Sequence, residues 1–270
     1  MKLEKLLPSI EKKWQNILLE ASGMCFKNAC LPSHDHWHHN RVWEYAKELL
    51  KNLSPTKEFT TEEITNLIIA AFFHDTGMSV TKDESHGKES KHLCQQFFNN
   101  NQILVPDNFN LALEAIEQHD DKAYQEHNQD KEISIKTILS TADDLDAFGY
   151  IGILRYAEIY LLRKIPVSEI SNKIINNAER RFKHFKNHFN DFQDLVEKHH
   201  KRLDILIQFY KNLKHIEENR KLIEKVNKNI AETHPDNLID LINGLDKNNS
   251  TFSQFRNNVN KELASFENKF

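Results

Sequence analysis

Apolar residues recur at intervals of three and four along almost the whole of this chain, and glycine is scarce. Only six of the 270 residues are glycine, and the alternating β-branched runs that are typical of strands are rare. Intervals of three and four place apolar side chains on one face of an α-helix. The sequence therefore predicts an all-α fold, in which amphipathic helices pack into a bundle.

The helical pattern divides the chain into three regions. We predict a leading helix over residues 1–24, a main domain over 25–185 and a C-terminal helical extension over 186–270. Within the main domain, the apolar spacing predicts helices over 38–53, 60–75, 86–99, 109–119, 133–147 and 153–164.

The extension has its own pattern. From Phe182, just before the predicted boundary, ten positions are spaced by three and four, and nine of them are apolar: Phe182, Phe185, Phe189, Phe192, Val196, His199, Leu203, Leu206, Tyr210 and Leu213. A mean spacing of 3.5 predicts one long helix that packs along another helix, either inside the molecule or across a homodimer. After about residue 217 the chain is rich in Asn and Lys, and we expect short, less tightly packed helices there.

Charge and cysteine content exclude several classes of protein. The 36 basic and 40 acidic residues leave a net charge of -4, which gives no overall attraction to nucleic acid or to an anionic membrane. Cys25, Cys30 and Cys94 form no CxxC pair, so neither a disulfide framework nor a zinc–thiolate site is expected. No apolar run approaches the ~20 residues that span a bilayer, and the first residues lack a signal-peptide pattern. We expect a cytoplasmic protein.

One predicted helix ends in two groups that are costly to bury. Thr60 or Thr61 caps its start, and Gly77 is predicted to be its C-cap. The apolar run ITNLIIAAFFHDTG leads directly into His74 and Asp75. An imidazole and a carboxylate at an apolar helix end need hydrogen bonds or a cation to offset their desolvation.

Other histidine and aspartate residues also fall on the apolar faces of their helices. Residues three, four, seven or eight apart share a helix face, and by this test the inward candidates are His38, His86, His119 and Asp143. His39 and His36 lie at the same helix start, and the spacing prefers His38 only slightly. His92 groups with polar residues and should face solvent, and His127 lies in a charged loop.

Taken singly, each of these histidines is better explained as a hydrogen-bonded core residue. Several helices that each deliver one nitrogen or oxygen ligand are better explained by a shared cation, because one ion offsets the desolvation of all of them. Mixed imidazole and carboxylate ligands suit manganese, iron, cobalt, nickel or zinc. The sequence therefore predicts a buried centre for a divalent metal.

Five segments in order resemble the motifs of the HD-domain phosphohydrolase superfamily. They are HDHWHHNRV (34–42), FFHDTG (72–77), ESHGKES (84–90), AIEQHD (115–120) and TADDLDAFG (141–149). The resemblance covers roughly residues 25–185, and it selects His38 because Arg41 and Val42 follow at the motif's spacing. Close relatives often carry aspartate in place of Thr141 and arginine in place of Asp144. If that arginine holds a phosphate, this chain must use another group.

The resemblance implies a helical bundle with one divalent metal held by His38, His74, Asp75 and Asp143. Magnesium joins the candidate metals on this basis. His86 and His119 would hold a second metal, with Asp75 as the bridge between the two ions. A two-metal site clamps the attacking and leaving oxygens of a phosphoryl transfer.

Further side chains are candidates for contacting a phosphate or moving a proton. The basic candidates are Arg41, Lys122, Arg155, Arg180 and Arg181, each of which could instead form a surface salt bridge. Asp120 or Asp144 is a candidate general base, or a hydrogen-bond partner of a ligand histidine. Aromatic candidates for stacking on a base, or for the core, are Trp37, Trp43, Phe73 and Tyr124.

The expected function is metal-dependent hydrolysis of a small phosphate ester or anhydride, with a nucleotide as the expected substrate. Two other classes remain as alternatives. One is a di-iron oxygenase, since some HD-domain relatives use the same ligands to activate oxygen. The other is a regulatory module that binds a metal or nucleotide and acts through the 182–213 surface.

Overall fold

A computed structural model describes residues 3–27, 29–83, 85–121 and 133–267. These residues form α-helices and short 3₁₀ helices without a strand, which confirms the all-α prediction. The α-helices are α1 (Leu3–Phe26), α2 (His36–Leu53), α3 (Thr61–Phe73), α4 (His86–Asn100), α5 (Asn110–Gln118), α6 (Ile135–Asp146), α7 (Gly149–Leu162), α8 (Val167–Phe189), α9 (Gln193–Lys211), α10 (Glu217–Thr233), α11 (Leu238–Asn243) and α12 (Ser250–Glu267). The 3₁₀ helices are Thr76–Ser79 and Asn212–Lys214. No described helix is both long and apolar enough to cross a membrane.

The chain forms two compact units. The N-terminal unit comprises Met1–Ala29 and His36–Asp143, and the C-terminal unit comprises Cys30–Asp35 and Asp144–Phe270. The predicted domain boundaries at residues 24 and 185 stay a prediction. The two units are defined by how compactly their residues pack, which does not test where a domain begins or ends in the sequence.

Helix α3 is the centre of the N-terminal unit. Every residue from Ile64 to Phe73 is buried, and α3 packs against α1, α2 and α5. Its start is confirmed at Thr60, whose hydroxyl accepts from the Glu63 backbone N–H at 3.0 Å while the Glu63 carboxylate accepts from the Thr60 N–H at 2.9 Å. This reciprocal capping box satisfies two backbone donors that the helix itself leaves unpaired.

The prediction that Gly77 caps the end of α3 is wrong. The helix ends at Phe73 with His74 as its C-cap, and His74 keeps right-handed helical backbone angles. Gly77 instead lies inside the 3₁₀ helix Thr76–Ser79. A glycine shortly after an apolar run is typical of a C-cap, but here the glycine is needed for a close contact between segments.

The prediction of one continuous helix over 182–213 is also wrong. The chain leaves the helical conformation after Phe189, and Phe192 has φ −101° and ψ 75° before α9 begins. Helices α8 and α9 pack on each other and bury most of the predicted stripe: Phe182, Phe185, Phe189, His199, Leu203, Leu206, Tyr210 and Leu213. A three-residue turn keeps the spacing in phase, so the spacing alone does not reveal it. Homodimer formation through this stripe stays a prediction.

The helices after residue 217 are longer and better packed than expected. Helix α10 has 17 residues and α12 has 18. Leu222, Ile223 and Val226 of α10 are almost completely buried, as is Val259 of α12. The abundant Asn and Lys residues misled the prediction, because most of them lie on the exposed faces between these apolar positions, although Asn229 is buried.

An ion pair and its hydrogen bonds join residues of four helices in the C-terminal unit. Arg202 of α9 donates to the carbonyl oxygens of Leu145 at 2.6 Å and Phe148 at 3.0 Å. The same guanidinium pairs with Glu262 of α12 at 2.7 Å. Glu262 in turn accepts from the backbone N–H of Tyr150 at 2.8 Å, which satisfies a free donor in the first turn of α7. The pair therefore fixes the corner between α6 and α7.

Replacement of Glu262 by alanine is expected to lower the free energy of unfolding by about 2 kcal/mol, because the largely buried guanidinium of Arg202 loses its carboxylate partner and the Tyr150 backbone N–H loses its acceptor. Urea unfolding followed by circular dichroism measures the change. The matched control is Glu197→Ala. Glu197 and Lys201 form an exposed ion pair on α9, the helix that also carries Arg202. That change should cost far less, because an exposed ion pair contributes little to stability. Equal losses in the two variants would contradict the role of the Arg202–Glu262 pair.

A buried acid lies elsewhere in the C-terminal unit. Glu158 of α7 accepts from the Ser33 backbone N–H at 2.8 Å and lies 2.8 Å from Nδ1 of His34. Burial raises the pKa of Glu158 to about 8, and the nearby charge of Asp35 adds to the shift. Because the folded pKa exceeds the usual value of 4.5, the stability from this group is complete below pH 4.5 and declines as the pH rises through 8.

Replacement of Glu158 by glutamine is therefore expected to stabilise the protein at pH 9 and to change little at pH 4.5 and below. The expected gain at pH 9 is about 5 kcal/mol, because a shift of the pKa from 4.5 to about 8 corresponds to that cost of a buried negative charge, which the variant does not carry. Urea unfolding at the two pH values measures it. Glu179→Gln, on the exposed face of α8, is the control and should show no such pH dependence. A loss of stability at pH 9 would contradict the prediction.

Candidate metal centre

Helix ends of the N-terminal unit bring the sequence-predicted ligands into its core. His38 lies in the first turns of α2, and His74 and Asp75 follow the buried helix α3. Because the second half of α3, residues 67–73, is apolar and buried, the polar groups that follow it emerge in the interior. His74 is completely buried and Asp75 is 4% exposed. Asp143, near the end of α6, is also buried.

Four of these side chains form a first group. Nε2 of His38 lies 3.2 Å from Nε2 of His74 and 3.3 Å from Oδ2 of Asp75. The same nitrogen is 3.5 Å from Oδ1 of Asp143. One ligand atom from each of the four residues lies within 4.8 Å of all the others, which is a spacing that one metal ion can span.

Three side chains form a second group that shares Asp75 with the first. Oδ1 of Asp75 lies 2.9 Å from Nε2 of His119 and 3.3 Å from Nε2 of His86. The two imidazole nitrogens are 3.3 Å apart. The second carboxylate oxygen of Asp75 faces the first group, so this carboxylate lies between the two sets of histidines.

The backbone determines which nitrogen of three imidazoles points inward. Nδ1 of His74 donates to the carbonyl oxygen of Ala71 at 2.9 Å, and Nδ1 of His119 donates to that of Ile116 at 2.7 Å. Nδ1 of His86 lies 2.8 Å from the carbonyl oxygen of Asp83. A carbonyl can only accept, so each Nδ1 carries the hydrogen. In the neutral rings each Nε2 therefore presents a lone pair to the centre.

The nitrogen and oxygen atoms that face the centre are suited to binding a divalent cation. Nε2 of His86 and Nε2 of His119 are acceptors in the neutral rings, and so are the oxygens of Asp75. Acceptors at these distances repel one another unless a proton or a metal ion lies between them. Imidazole with carboxylate suits several first-row divalent metals, and backbone hydrogen bonds to Nδ1 are the usual way of orienting such ligands.

The carboxylate of Asp75 and the histidines around it shift one another's pKa values. Burial alone would raise the pKa of Asp75, but the charge of His74 and hydrogen bonds from the other histidines hold it well below its usual range. Burial opposes a charge on His86, yet the hydrogen bond and charge of Asp75 outweigh it and raise the pKa of His86 to about 9. The carboxylate thus attracts positive charge into the centre.

The neighbouring histidines of α2 lie outside both groups. His36 is only half-buried. His39 is completely buried, and its ring centre lies 5.1 Å from that of His74. Neither ring nitrogen of His39 has a hydrogen-bond partner among the residues that the structure describes. Burial, followed by the charges of His74 and His38, holds the pKa of His39 well below its usual value. His92 is exposed, as predicted.

The candidates for phosphate contact and proton transfer have varied environments. Arg41 is buried in α2, and Lys122 and Tyr124 lie outside the described residues. Asp120 is half-buried and belongs to neither group. The predicted roles of these residues stay predictions.

In the C-terminal unit, Asp144 is completely buried, and its carboxylate pairs with Arg181 at 2.7 Å. Arg155 pairs with Asp146 at 3.3 Å, and Arg180 is exposed. Asp144 stays a predicted general base, and its ion pair with Arg181 is a contact that the sequence did not reveal.

Comparison with known proteins identifies the family. The helical architecture and the His–Asp centre are those of an HD-type domain. A family model described as HD-CE matches residues 26–263, which is most of the chain, and the protein therefore belongs to the HD-CE family. The match continues through the C-terminal helices, well past residue 185, where the resemblance noted from motifs ends. Searches of curated proteins and of solved structures found no match.

Proposed function

We propose that this protein is a metal-dependent phosphohydrolase that cleaves a phosphate ester or anhydride. The observation that carries the proposal is the position of Asp75, whose two oxygens face two separate groups of inward-pointing imidazole nitrogens. A carboxylate shared in this way is suited to bridging two ions. Bound divalent metals supply an activated water and neutralise the charge on phosphate oxygens.

The residues of the chain would divide this task. His38, His74 and Asp143 would hold one ion, and His86 and His119 the other, with Asp75 common to both. The backbone hydrogen bonds to Nδ1 keep the imidazoles oriented before any ion binds, so little reorganisation is needed. The burial of all six side chains keeps bulk water away from the centre and strengthens their electrostatic effect on a phosphate.

A nucleotide is the proposed substrate class. Among the aromatic candidates, Trp43 and Phe73 are core residues and are at most 1% exposed. Trp37 is 43% exposed and directly precedes His38 in α2. An exposed indole on the helix that carries His38 is available for stacking on a base. Replacement of Trp37 by alanine should raise KM for nucleotides more than KM for a small aryl phosphate.

The first experiment combines metal analysis with an activity assay. Purified protein is stripped with a chelator, reloaded with Mn²⁺ or Co²⁺ and assayed for phosphate release from a panel of nucleotides and simple phosphate esters. Phosphate release that depends on the added metal supports the proposal. Bound redox-active iron with oxygen consumption and no phosphate release would instead indicate an oxygenase. Metal binding without turnover of any substrate would favour a regulatory module.

A further inference from the structure

The segments that carry Asp75 and His86 touch through a glycine. Gly77 is two residues after Asp75, and a β-carbon on it would lie 2.1 Å from the carbonyl oxygen of His86 and 2.6 Å from the backbone nitrogen of Ser90. Real β-carbons do not come within 3.0 Å of such atoms. The 3₁₀ helix after Asp75 can therefore approach α4 this closely only because residue 77 has no side chain.

A second glycine brings the His86 segment against the segment of His119. Gly87 follows His86, and a β-carbon on it would lie 2.5 Å from the carbonyl oxygen of Glu117. It would also lie 3.3 Å from the carbonyl oxygen of Ile116, which is the group that accepts from Nδ1 of His119. The glycine thus adjoins the same turn that orients the His119 ring.

A buried serine completes the contact. Ser90 is completely buried in α4, one helical turn after His86. Its hydroxyl accepts from the Gly77 backbone N–H at 2.8 Å. Without this acceptor, a buried backbone donor two residues from Asp75 would lose its hydrogen bond, which is costly. The hydrogen bond therefore joins the Asp75 segment to the helix that carries His86.

These contacts lie next to all three ligands of the second group. Gly77 is two residues after Asp75, Gly87 directly follows His86, and Gly87 also lies against the turn that orients His119. We infer that Gly77, Gly87 and Ser90 are positioning residues that hold Asp75, His86 and His119 at the spacing of a second metal ion. The inference rests on the proposed metal-dependent function and adds that the second ion is a built-in part of the centre. Gly23, which faces α2, shows the contrast: a β-carbon there would meet its nearest atom at 3.6 Å, an ordinary contact.

The test measures Mn²⁺ binding to the full chain by titration calorimetry and by electron paramagnetic resonance. The wild type should bind two ions whose spins are coupled through Asp75. Gly87→Ala should keep one ion with unchanged affinity and bind the second about tenfold to a hundredfold more weakly. Its spectrum at two equivalents of Mn²⁺ should then be that of isolated ions. Gly23→Ala is the matched control and should retain both ions and the coupled spectrum.

A milder variant guards against a general folding defect. Ser90→Ala removes the acceptor without adding volume, so circular dichroism should stay unchanged while the second ion binds more weakly. Ser90→Cys retains a weak sulfur acceptor and should recover part of that affinity. Wild-type binding of both ions in Gly87→Ala and in Ser90→Ala would overturn the inference.

Metal binding and phosphate release, measured together, separate this inference from the proposed function. A wild-type protein that binds one ion and releases phosphate would overturn the inference but leave the hydrolase standing. A wild-type protein that binds no metal and releases no phosphate would overturn both. Two ions and weakened second-site binding in the variants, without turnover of any phosphate, would support the inference and reject the hydrolase.

Discussion

Replacement of Asp75 by asparagine is expected to remove both metal ions and to abolish phosphate release. Asp75 belongs to both ligand groups, and its two oxygens face different histidines. Asparagine has nearly the same shape but lacks the negative charge that attracts cations into the buried centre. Loss of metal-derived charge stabilisation of several kcal/mol corresponds to a rate reduction of about a thousandfold or more.

Metal content and phosphate release, measured on the same preparations, test the Asp75 prediction. Asp107→Asn is the matched control, because Asp107 is an exposed acid of the same unit and its carboxylate belongs to neither ligand group. The control should retain metal and activity. Circular dichroism should show that Asp75→Asn keeps its helices, since the change is isosteric. Full metal occupancy in Asp75→Asn would show that the ions bind somewhere else.

Replacement of His74 by alanine is expected to remove one metal ion and to leave the other. His74 belongs to the first group, whereas Asp75, His86 and His119 form the second group without it. Phosphate release should still fall by about a thousandfold, because a two-metal reaction needs both ions to stabilise its attacking and leaving oxygens. The reciprocal variant His119→Ala should lose the other ion.

Metal stoichiometry distinguishes these variants, with His92→Ala as the control. His92 is an exposed histidine of α4, and its ring forms a hydrogen bond with Gln96 of the same helix. It should therefore bind metal and release phosphate as the wild type does. Loss of both ions in His74→Ala would mean that the second group does not bind on its own, which contradicts the division into two groups.

The helices and the ligand candidates were largely predictable because both depend on local patterns. The apolar run from Ile64 to Phe73 predicts a buried helix, and a buried helix delivers the residues after it into the core. Helical spacing likewise selected inward positions for His38, His86, His119 and Asp143, and all of these are buried. Low glycine content and regular spacing together indicated the all-α fold.

Some features left no recognisable local signal. The break between Phe189 and Gln193 keeps the three-and-four spacing in phase, so two packed helices have the pattern of one. The pairing of Arg202 with Glu262 joins residues 60 positions apart, and neither residue stands out among the many charged positions. The glycines did offer one overlooked signal. The chain has only six of them, and both Gly77 and Gly87 lie within two residues of a ligand candidate in the sequence.

The amino-acid sequence by itself determined the helices, their buried faces and the set of ligand candidates, since these follow from periodicity and residue chemistry within single segments. Only the tertiary structure decided that the oxygens of Asp75 face different histidines and that Nδ1 of His74 and of His119 is bound to backbone carbonyls. It also places His38, and neither His36 nor His39, in the first group, where helical spacing preferred His38 only slightly. Periodicity places a side chain on a helix face, whereas distances between separate segments follow from how those segments pack.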